Sequence, residues 1–466
     1  MKKILRDHRT LLAVAALCLV GAGWWGAQQR GRTSTTPAGA ATAGPADVLA
    51  AIPRQMGSGA SDLAVVKWTA QARENGGDAR TWVHLGDALM QKARETADTA
   101  NYGYAEGAYR KALTLNPQND DAMTGLAWVN GERRQFDKSI DWANKAVALN
   151  GRNNLAYGLL GDADVEQGNY DAAFEHYQKM LDLRPDISSY SRGAHLLLIT
   201  GQTFRAGWMM RKAIASGAAF AENTGWCRAQ LALIYFSDGN LEASEQVLKD
   251  ALKKLPNNRY ALAEMGKVKA ARKDYPAAIG FYKKAIAMTP EHESLVALGD
   301  LYALTGDKAE AEKQYALVEE MHRKNHAADA TDDFLMAQFY ADHDRNLVEA
   351  LRLAEQRKTT KNVFEADILA WCYYKNNQPQ QAKAAITRAL SRRTPDAKIL
   401  YHAGMIYAAA GDPTAAQRYL YQALSLNPNF SPVFAPSATD TLKMLSRKTA
   451  ARASLLPPAT SQKRRL

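Results

Sequence analysis

The chain has 466 residues, with 59 Lys and Arg against 48 Asp and Glu, and a formal net charge of +11. Residues 1–32 and 447–466 each hold six of the basic residues. Subtracting those twelve, and the one acid in the first segment, leaves 47 basic and 47 acidic residues between them. Nucleic-acid binding by the central part is therefore disfavoured, because such binding needs a clustered basic face. Three cysteines without a Cys-x-x-Cys pair exclude a zinc ribbon and a thioredoxin-like site.

Residues 1–30 are predicted to form an N-terminal transmembrane or signal helix, because positions 11–27 are apolar and uncharged. Two interpretations are open, a cleaved signal peptide or a retained anchor. Small residues at 21–23 offer a cleavage site, but the Trp24-Trp25 pair just after them suits an interfacial belt and favours the anchor. Four basic residues precede the apolar run and two follow it, which predicts a cytoplasmic N-terminus. In a bacterium this topology gives a single-pass inner-membrane protein with its remaining residues in the periplasm.

Residues 31–60 are rich in Ala, Gly, Thr and Pro and are predicted to be a flexible linker. The main part of the chain spans 61–430, and an amphipathic helix near Leu63–Arg73 is predicted to cap its N-terminal end. Residues 431–466 are predicted to hold a short capping helix around Thr439–Leu445 and a basic disordered tail.

A 34-residue repeat runs from about Thr81 to Pro428, and one copy spans Asn257–Pro290 without gaps. Each copy has two blocks with apolar residues at three- and four-residue steps, which predicts two amphipathic helices. Small residues mark the helix crossing, a bulky residue packs between them and a proline closes the copy: Gly266, Ala278, Tyr282, Ala285 and Pro290. A fixed period of this length predicts stacked hairpins that contact only their neighbours.

The repeat resembles the tetratricopeptide repeat (TPR) in its Leu-Gly pairs, its Gly-x-Tyr turn and its closing proline. The matching residues are Leu85-Gly86, Leu160-Gly161, Leu298-Gly299, Tyr302, Gly168-Asn169-Tyr170, Pro256, Pro290 and Pro428. The resemblance covers about three-quarters of the chain. It implies an all-α fold, a right-handed α-solenoid of about ten TPR helical hairpins.

Three units depart from the pattern. The first carries about seven extra residues near Lys92–Tyr102, and the unit at Arg192–Ala218 has no closing proline. The unit at Phe334–Arg357 has Asp342-His343-Asp344-Arg345 where a clean turn is expected.

In TPR proteins the first helix of each unit lines a concave groove, so the repeat register selects residues for partner binding. Large aromatic side chains there suit peptide recognition, although each can instead pack between units. The residues selected are Trp128, Asp162, Trp226, Leu233, Phe236, Lys267, Phe364, Trp371 and Tyr374.

The sequence shows no Gly-rich phosphate loop, no His-Glu-x-x-His and no nucleophile elbow, so we expect no enzyme and no cofactor. His322 and His326, one helical turn apart, raise a metal hypothesis, against which stands a simple polar helix end. We therefore expect a membrane-tethered scaffold that binds protein partners in envelope assembly, secretion or complex maturation. The alternatives are a cytoplasm-facing adaptor that recruits a soluble enzyme, or an envelope polysaccharide or metal carrier.

Overall fold

The computed structural model describes residues 48–53, 57, 59–218, 221–327 and 333–454. These residues form 23 α-helices and one 3₁₀ turn, without a β-strand. The helices that precede and begin the repeat are α1 (Val48–Ala51), α2 (Ala60–Glu74), α3 (Ala79–Thr96), α4 (Ala100–Leu115), α5 (Asp120–Glu132), α6 (Phe136–Leu149), α7 (Asn154–Gln167), α8 (Tyr170–Leu183), α9 (Ile187–Ile199), α10 (Thr203–Ser216), α11 (Glu222–Ser237) and α12 (Leu241–Lys254). The later helices are α13 (Arg259–Ala271), α14 (Tyr275–Met288), α15 (His292–Leu304), α16 (Lys308–Ala327), α17 (Asp333–Asp342), α18 (Leu347–Glu355), α19 (Val363–Lys375), α20 (Pro379–Ala389), α21 (Ala397–Ala409), α22 (Pro413–Leu426) and α23 (Phe434–Ser454).

Helices α3 to α22 pair in sequence as ten antiparallel hairpins within the described residues, numbered here 1 to 10. The small residue at each crossing has the expected role. A Cβ on Gly161 of α7 would lie 2.3 Å from Cε1 of Tyr177 on α8, so only glycine lets these two helices approach. The turn that follows uses Gly168 at φ +75°, a left-handed conformation that favours glycine. The predicted solenoid of about ten helical hairpins is confirmed.

Consecutive first helices contact one another along the array, for example α17 with α19 and α19 with α21. The second helices pack chiefly on the two first helices that flank them. This arrangement places the first helices on the inner side of the curved array and the second helices on its outer side.

The N-terminal end is closed by two short elements. Helix α2 packs on α3, as the sequence predicts for a capping helix. Helix α1 lies inside the stretch expected to be a linker, yet Val48 and Ile52 are buried. Val48 lies against Gly107 of α4, because a Cβ on Gly107 would lie 2.3 Å from Cγ2 of Val48. Two apolar side chains and a matching glycine are enough to hold this segment on hairpin 1.

The extra residues of the first unit lengthen α3 to 18 residues, against 13 for α5. The added turn carries Arg94 and Glu95 away from hairpin 1. Arg94 forms an ion pair with Glu222 at the start of α11, and Arg259 at the start of α13 donates to the carbonyl oxygens of Arg94 and Glu95. The insertion therefore joins hairpin 1 to hairpins 5 and 6.

Units far apart in sequence also contact each other, which corrects the expectation of neighbour-only contacts. The turns inside hairpins 3, 4 and 5 pack on the connections that precede α19, α21 and α23. We call this set of contacts the seam. Its hydrogen bonds join residues 191 to 197 positions apart: Asn362 to Val165 and Glu166, Val363 to Tyr170, Thr394 to Ile199, and Asn427 to Phe236.

The seam follows from the pitch of the superhelix. A separation of 191 to 197 residues corresponds to between five and six repeats, so one turn of the superhelix closes on the next at that interval. The turn glycines allow the contact, because a Cβ on Gly168 would lie 2.2 Å from the carbonyl carbon of Lys361. A Cβ on Gly201 would lie 2.9 Å from the nearest backbone atom across the seam, and a Cβ on Gly239 would lie 2.6 Å from it.

The degenerate unit is a shortened hairpin, α17 and α18, whose turn holds Asp344 and Asn346 at positive φ. The C-terminal helix α23 is longer than the predicted capping helix and packs on α22 and α21. Its Ala438 and Leu445 are buried, so it covers the open end of hairpin 10.

The predicted N-terminal anchor, residues 1–30, lies outside the described residues. Within the part of the chain that is described, we find no helix with the length and apolar character needed to cross a bilayer.

Candidate functional site

Three of the residues selected from the sequence, Phe364, Trp371 and Tyr374, lie on α19 in hairpin 9. The indole of Trp371 stacks between two rings. The Tyr374 ring lies 4.8 Å away with an interplanar angle of 16°, and the His402 ring of α21 lies 4.0 Å away at 12°. Trp371 is only 2% exposed, while Phe364 and Tyr374 are half-buried. Parallel rings from two consecutive first helices thus stack beneath the inner face, and Tyr374 is the ring among them that is partly open to solvent.

His402 is held in one tautomer by Asp367. Its Nδ1 lies 3.0 Å from both carboxylate oxygens of Asp367, so Nδ1–H donates to that acceptor. The opposite nitrogen, Nε2, is buried and has no hydrogen-bond partner among the described residues. The Nε1–H of Trp371 is in the same situation. One buried donor and one buried acceptor therefore lie on stacked neighbouring rings.

An ion pair borders the stack. Lys398 Nζ donates to Oδ2 of Asp342 at 2.6 Å, and Oδ1 of Asp342 has no partner among the described residues. Burial opposes the charged carboxylate, but the positive charge of Lys398 holds the pKa of Asp342 below its ordinary value. Burial also opposes the charge on Lys398, yet Asp342 keeps its pKa above the usual range. Both groups are ionised at neutral pH.

The start of α23 forms the rim of this cluster. The Phe434 ring stacks on Tyr401 at 5.4 Å and meets Trp371 edge-on at 6.5 Å. The Tyr401 hydroxyl donates a hydrogen bond to Oγ of Ser437 at 3.2 Å. We call Asp342, Asp367, Trp371, Tyr374, Lys398 and His402 the inner cluster.

The other selected residues lie on two separate parts of the array. In hairpins 2 and 3, Trp128 is 4% exposed and donates through Nε1 to Glu132 at 3.1 Å. Asp162 is also buried, accepts from Tyr177 at 2.7 Å and pairs with Arg192. These two side chains connect helices in this conformation and present little surface.

The third group lies in hairpins 5 and 6. Trp226 and Phe236 are 3% and 7% exposed and pack in the core, whereas Leu233 and Lys267 are half-buried. Lys267 Nζ pairs with Glu264 at 3.2 Å and lies 5.8 Å from the Phe236 ring centroid. Of the nine residues, only Trp371 and Tyr374 belong to the inner cluster.

Sequence reasoning missed the polar members of the inner cluster. The repeat register selects none of Asp342, Asp367, Lys398 and His402. A signal was present, because Asp367 and His402 are 35 positions apart, one repeat plus one residue. That spacing places them on adjacent first helices.

A cavity of about 390 Å³ lies between the turn of hairpin 2 and the segment around α17 and α18. Its walls include Phe136, whose ring centroid lies 5.2 Å from the Arg134 guanidinium and 5.9 Å from that of Arg357. The lining also holds Lys138 and the carboxylates of Asp137 and Asp333, and Glu365 pairs with both guanidiniums. Three positive charges thus face three negative ones, so the cavity has little net charge to attract an ionic ligand.

The metal hypothesis depends on His322 and His326. His322 Nε2 lies 3.7 Å from Oδ1 of Asp333, and the side chain of His326 is outside the described set. The described residues contain no group of three or more His, Cys, Asp or Glu side chains arranged to hold a metal ion.

Comparison with known proteins decides the family. A sequence model of the tetratricopeptide repeat matches residues 90–154, 132–188, 229–293, 264–332 and 369–429, which together exceed half of the chain. The chain belongs to the tetratricopeptide repeat family. This TPR protein therefore shares with its relatives a fold of stacked helical hairpins that serves protein–protein interaction.

Individual relatives match over short stretches. The small glutamine-rich tetratricopeptide repeat-containing protein 2 of Mycosarcoma maydis is 30% identical over 107 residues, 23% of this chain and 30% of that protein. The mitochondrial import receptor subunit TOM70 of Rattus norvegicus is 25% identical over 96 residues, 20% of this chain and 15% of the receptor. The chain thus spans less than a third of the length of these relatives.

Solved structures with similar helical arrangements include YrrB, a TPR protein with an unusual peptide-binding site. The two chains are 19% identical with a TM-score of 0.29, and the similarity covers 40% of this chain and 95% of YrrB. The human IFIT1 dimer with PPP-AAAA is 14% identical with a TM-score of 0.43, covering 84% of this chain and 95% of that one.

Proposed function

We propose that this TPR protein is a non-enzymatic scaffold that holds an extended segment of another protein against the inner cluster. The observation that carries the proposal is the pair of buried polar atoms on stacked rings, Trp371 Nε1 and His402 Nε2. Burying such groups without partners costs free energy. Neither atom is exposed in this conformation, so a bound segment recovers that cost when the stack opens at Tyr374, its half-buried ring. An extended peptide offers a carbonyl oxygen to the indole donor and an N–H to the imidazole acceptor.

The charges around the stack support a polar backbone as the ligand. Asp367 keeps the His402 tautomer fixed, and the Lys398–Asp342 pair leaves Asp342 Oδ1 as a further acceptor. Tyr374, half-buried at the edge of the stack, supplies apolar surface for a side chain of the partner. Donor, acceptors and an aromatic surface in one place suit recognition of a peptide segment.

We further propose that the scaffold is tethered to a bacterial inner membrane by residues 1–30, with the repeats in the periplasm. The apolar run at 11–27 and the distribution of basic residues around it support this topology. A tethered scaffold raises the effective concentration of its partners near the membrane. Envelope assembly, secretion or maturation of a membrane complex are the processes that need this action. A reporter fused after Leu466 tests the topology, and activity of a cytoplasmic reporter alone would reverse it.

The binding site is tested with a photo-crosslinking amino acid at Tyr374 in native membranes. The matched control carries the same group at Val348, which is 81% exposed on α18. We expect a partner band at position 374 but not at 348. Trp371→Phe, which keeps a ring in the stack but removes the donor, should reduce that band roughly tenfold, the effect of one lost buried hydrogen bond. Equal bands at both positions, or an unchanged band in Trp371→Phe, would remove the inner cluster from the proposal.

A further inference from the structure

The outer surface of hairpin 4 has an exposed aromatic pair. Phe204 is 83% exposed and Trp208 is 47% exposed, and they lie one turn apart on α10. Side chains four residues apart share one face of a helix, so the two rings project from the same side. Second helices form the outer layer of the array, and this pair therefore faces away from the inner cluster.

The same face carries positive charge. Arg205, Arg211 and Lys212 are exposed, and α10 contains no acidic residue. Lys212 Nζ lies 5.4 Å from the Trp208 ring centroid, which places a cation beside the exposed indole. The neighbouring outer helices differ, because α8 and α12 also expose acidic residues. These acids are Asp171, Glu175, Asp182, Glu242 and Asp250.

The seam adds further positive charge beside α10. Thr394 donates to the carbonyl oxygen of Ile199 at 2.6 Å, which brings the connection between hairpins 9 and 10 against the turn that leads into α10. That connection contains Arg392 and Arg393, of which Arg393 is exposed and Arg392 pairs with Asp171 at 3.1 Å. Two turns of the superhelix thus contribute basic residues to one outer area.

We propose that the α10 face, formed by Phe204, Arg205, Trp208, Arg211 and Lys212, docks on the headgroup region of a bilayer that contains anionic lipids. Helices that lie in the membrane interface combine Trp or Phe with Lys and Arg in this way. The aromatic rings enter the boundary between headgroups and acyl chains, and the cations pair with lipid phosphates. Each positive charge near an anionic surface strengthens binding by about fivefold.

Two features favour a bilayer over an acidic protein as the occupant of the α10 face: the shape of that face and the membrane tether proposed for this chain. The rings stand on the outer layer of a helical array, where a flat surface can approach all of them together. The inference rests on the proposed membrane tether, which keeps a bilayer within reach. The part of the predicted linker that precedes α1 has roughly 17 residues, and a flexible segment of that length spans about 23 Å on average.

The test uses the full-length chain with Cys18→Ser and an environment-sensitive fluorophore on Ala215→Cys, an exposed position of α10. The remaining cysteines, Cys227 and Cys372, are buried and do not compete for the label. The control carries the same label on Gln246→Cys, exposed on α12. Each protein is mixed with vesicles of phosphatidylcholine alone or with one third phosphatidylglycerol, and quenching by spin-labelled lipid is measured.

We expect quenching of the label at 215, and not at 246, in anionic vesicles, with loss of quenching in high salt. The variant Arg205→Gln/Arg211→Gln/Lys212→Gln should weaken docking by about fivefold for each charge removed. Flotation with phosphatidylcholine vesicles reports the tether separately, so quenching without flotation would retain the docking and reject the tether. Equal quenching at 215 and 246, quenching that is insensitive to lipid charge, or a response to polyglutamate but not to vesicles would overturn the proposal.

Discussion

The hydroxyl oxygen of Tyr170 accepts a hydrogen bond from the backbone N–H of Val363 at 2.9 Å, although the two residues are 193 positions apart. Tyr170 begins the second helix of hairpin 3, and Val363 begins the first helix of hairpin 9. Both are almost completely buried. This bond lies in the middle of the seam and joins two consecutive turns of the superhelix.

Replacing Tyr170 by Phe should destabilise the seam. The ring still packs, but the buried N–H of Val363 loses its acceptor, which costs about 2 kcal/mol. We expect a lower urea midpoint and faster hydrogen exchange at the Val363 amide. Tyr421→Phe, at a tyrosine that is 66% exposed on α22, is the control and should change neither quantity. Unchanged exchange at Val363 would show that the bond contributes nothing.

Replacing Gly168 by Ala should cost more than the same change at Gly411. Both glycines have positive φ, +75° and +80°, so an alanine at either position pays about 1 kcal/mol of backbone strain. A Cβ at Gly411 meets open space, whereas at Gly168 it would lie 2.2 Å from the Lys361 carbonyl carbon. This overlap destabilises the protein by about a further 2 kcal/mol, or it moves the two turns of the superhelix apart at the seam. Chemical denaturation and small-angle scattering measure both effects, and equal losses would argue against a closed seam.

Asp162 and Arg192 should behave as a coupled pair. Arg192 donates through Nε and Nη2 to the Asp162 carboxylate, and both side chains are almost fully buried. Asp162→Ala leaves the guanidinium buried without its counter-charge, so we expect a loss of about 4 kcal/mol. The double variant Asp162→Leu/Arg192→Met should recover most of it. A double-mutant cycle measures the coupling, and additive losses would contradict it.

Glu132 should make stability depend on pH. Burial, the largest influence, raises its pKa from 4.5 to about 7, although Trp128 donates a hydrogen bond to it. Between these values the folded carboxyl keeps a proton that the unfolded one has released, so stability falls as pH rises through this window. Glu132→Gln should therefore gain about 3 kcal/mol over the parent at pH 8 and nothing at pH 4. A gain that is the same at both pH values would exclude this cause.

The hairpins were predictable because their determinants are local. Small residues such as Gly161, the turn glycine Gly168 and the closing prolines recur at fixed spacing, and each acts on a helix within about 20 residues of itself. The capping role of α2 follows in the same way from its position before the first unit. Helix α1 was missed because Val48 and Ile52 are isolated apolar residues in a stretch of small ones.

The seam and the inner cluster were not predictable from the repeat. The pitch of a superhelix is set by a small rotation at every unit, and the pattern of one unit does not contain that value. The same uncertainty affects exposure, since Trp128 and Trp226 lie at positions chosen for the groove and are 4% and 3% exposed. Trp371 was selected, but its stacking partner His402 lies on another unit.

Contacts of fixed span along the chain have a consequence for how this protein can change in evolution. A simple array tolerates gain or loss of one unit at any point, because every unit meets an equivalent neighbour. Here, one extra hairpin between Gly168 and Lys361 would shift the connection before α19 by a full unit. Each turn glycine would then no longer face the backbone segment that it contacts now. Lineages that keep the bond from Val363 to Tyr170 are therefore expected to conserve the number of intervening hairpins even where their sequences diverge.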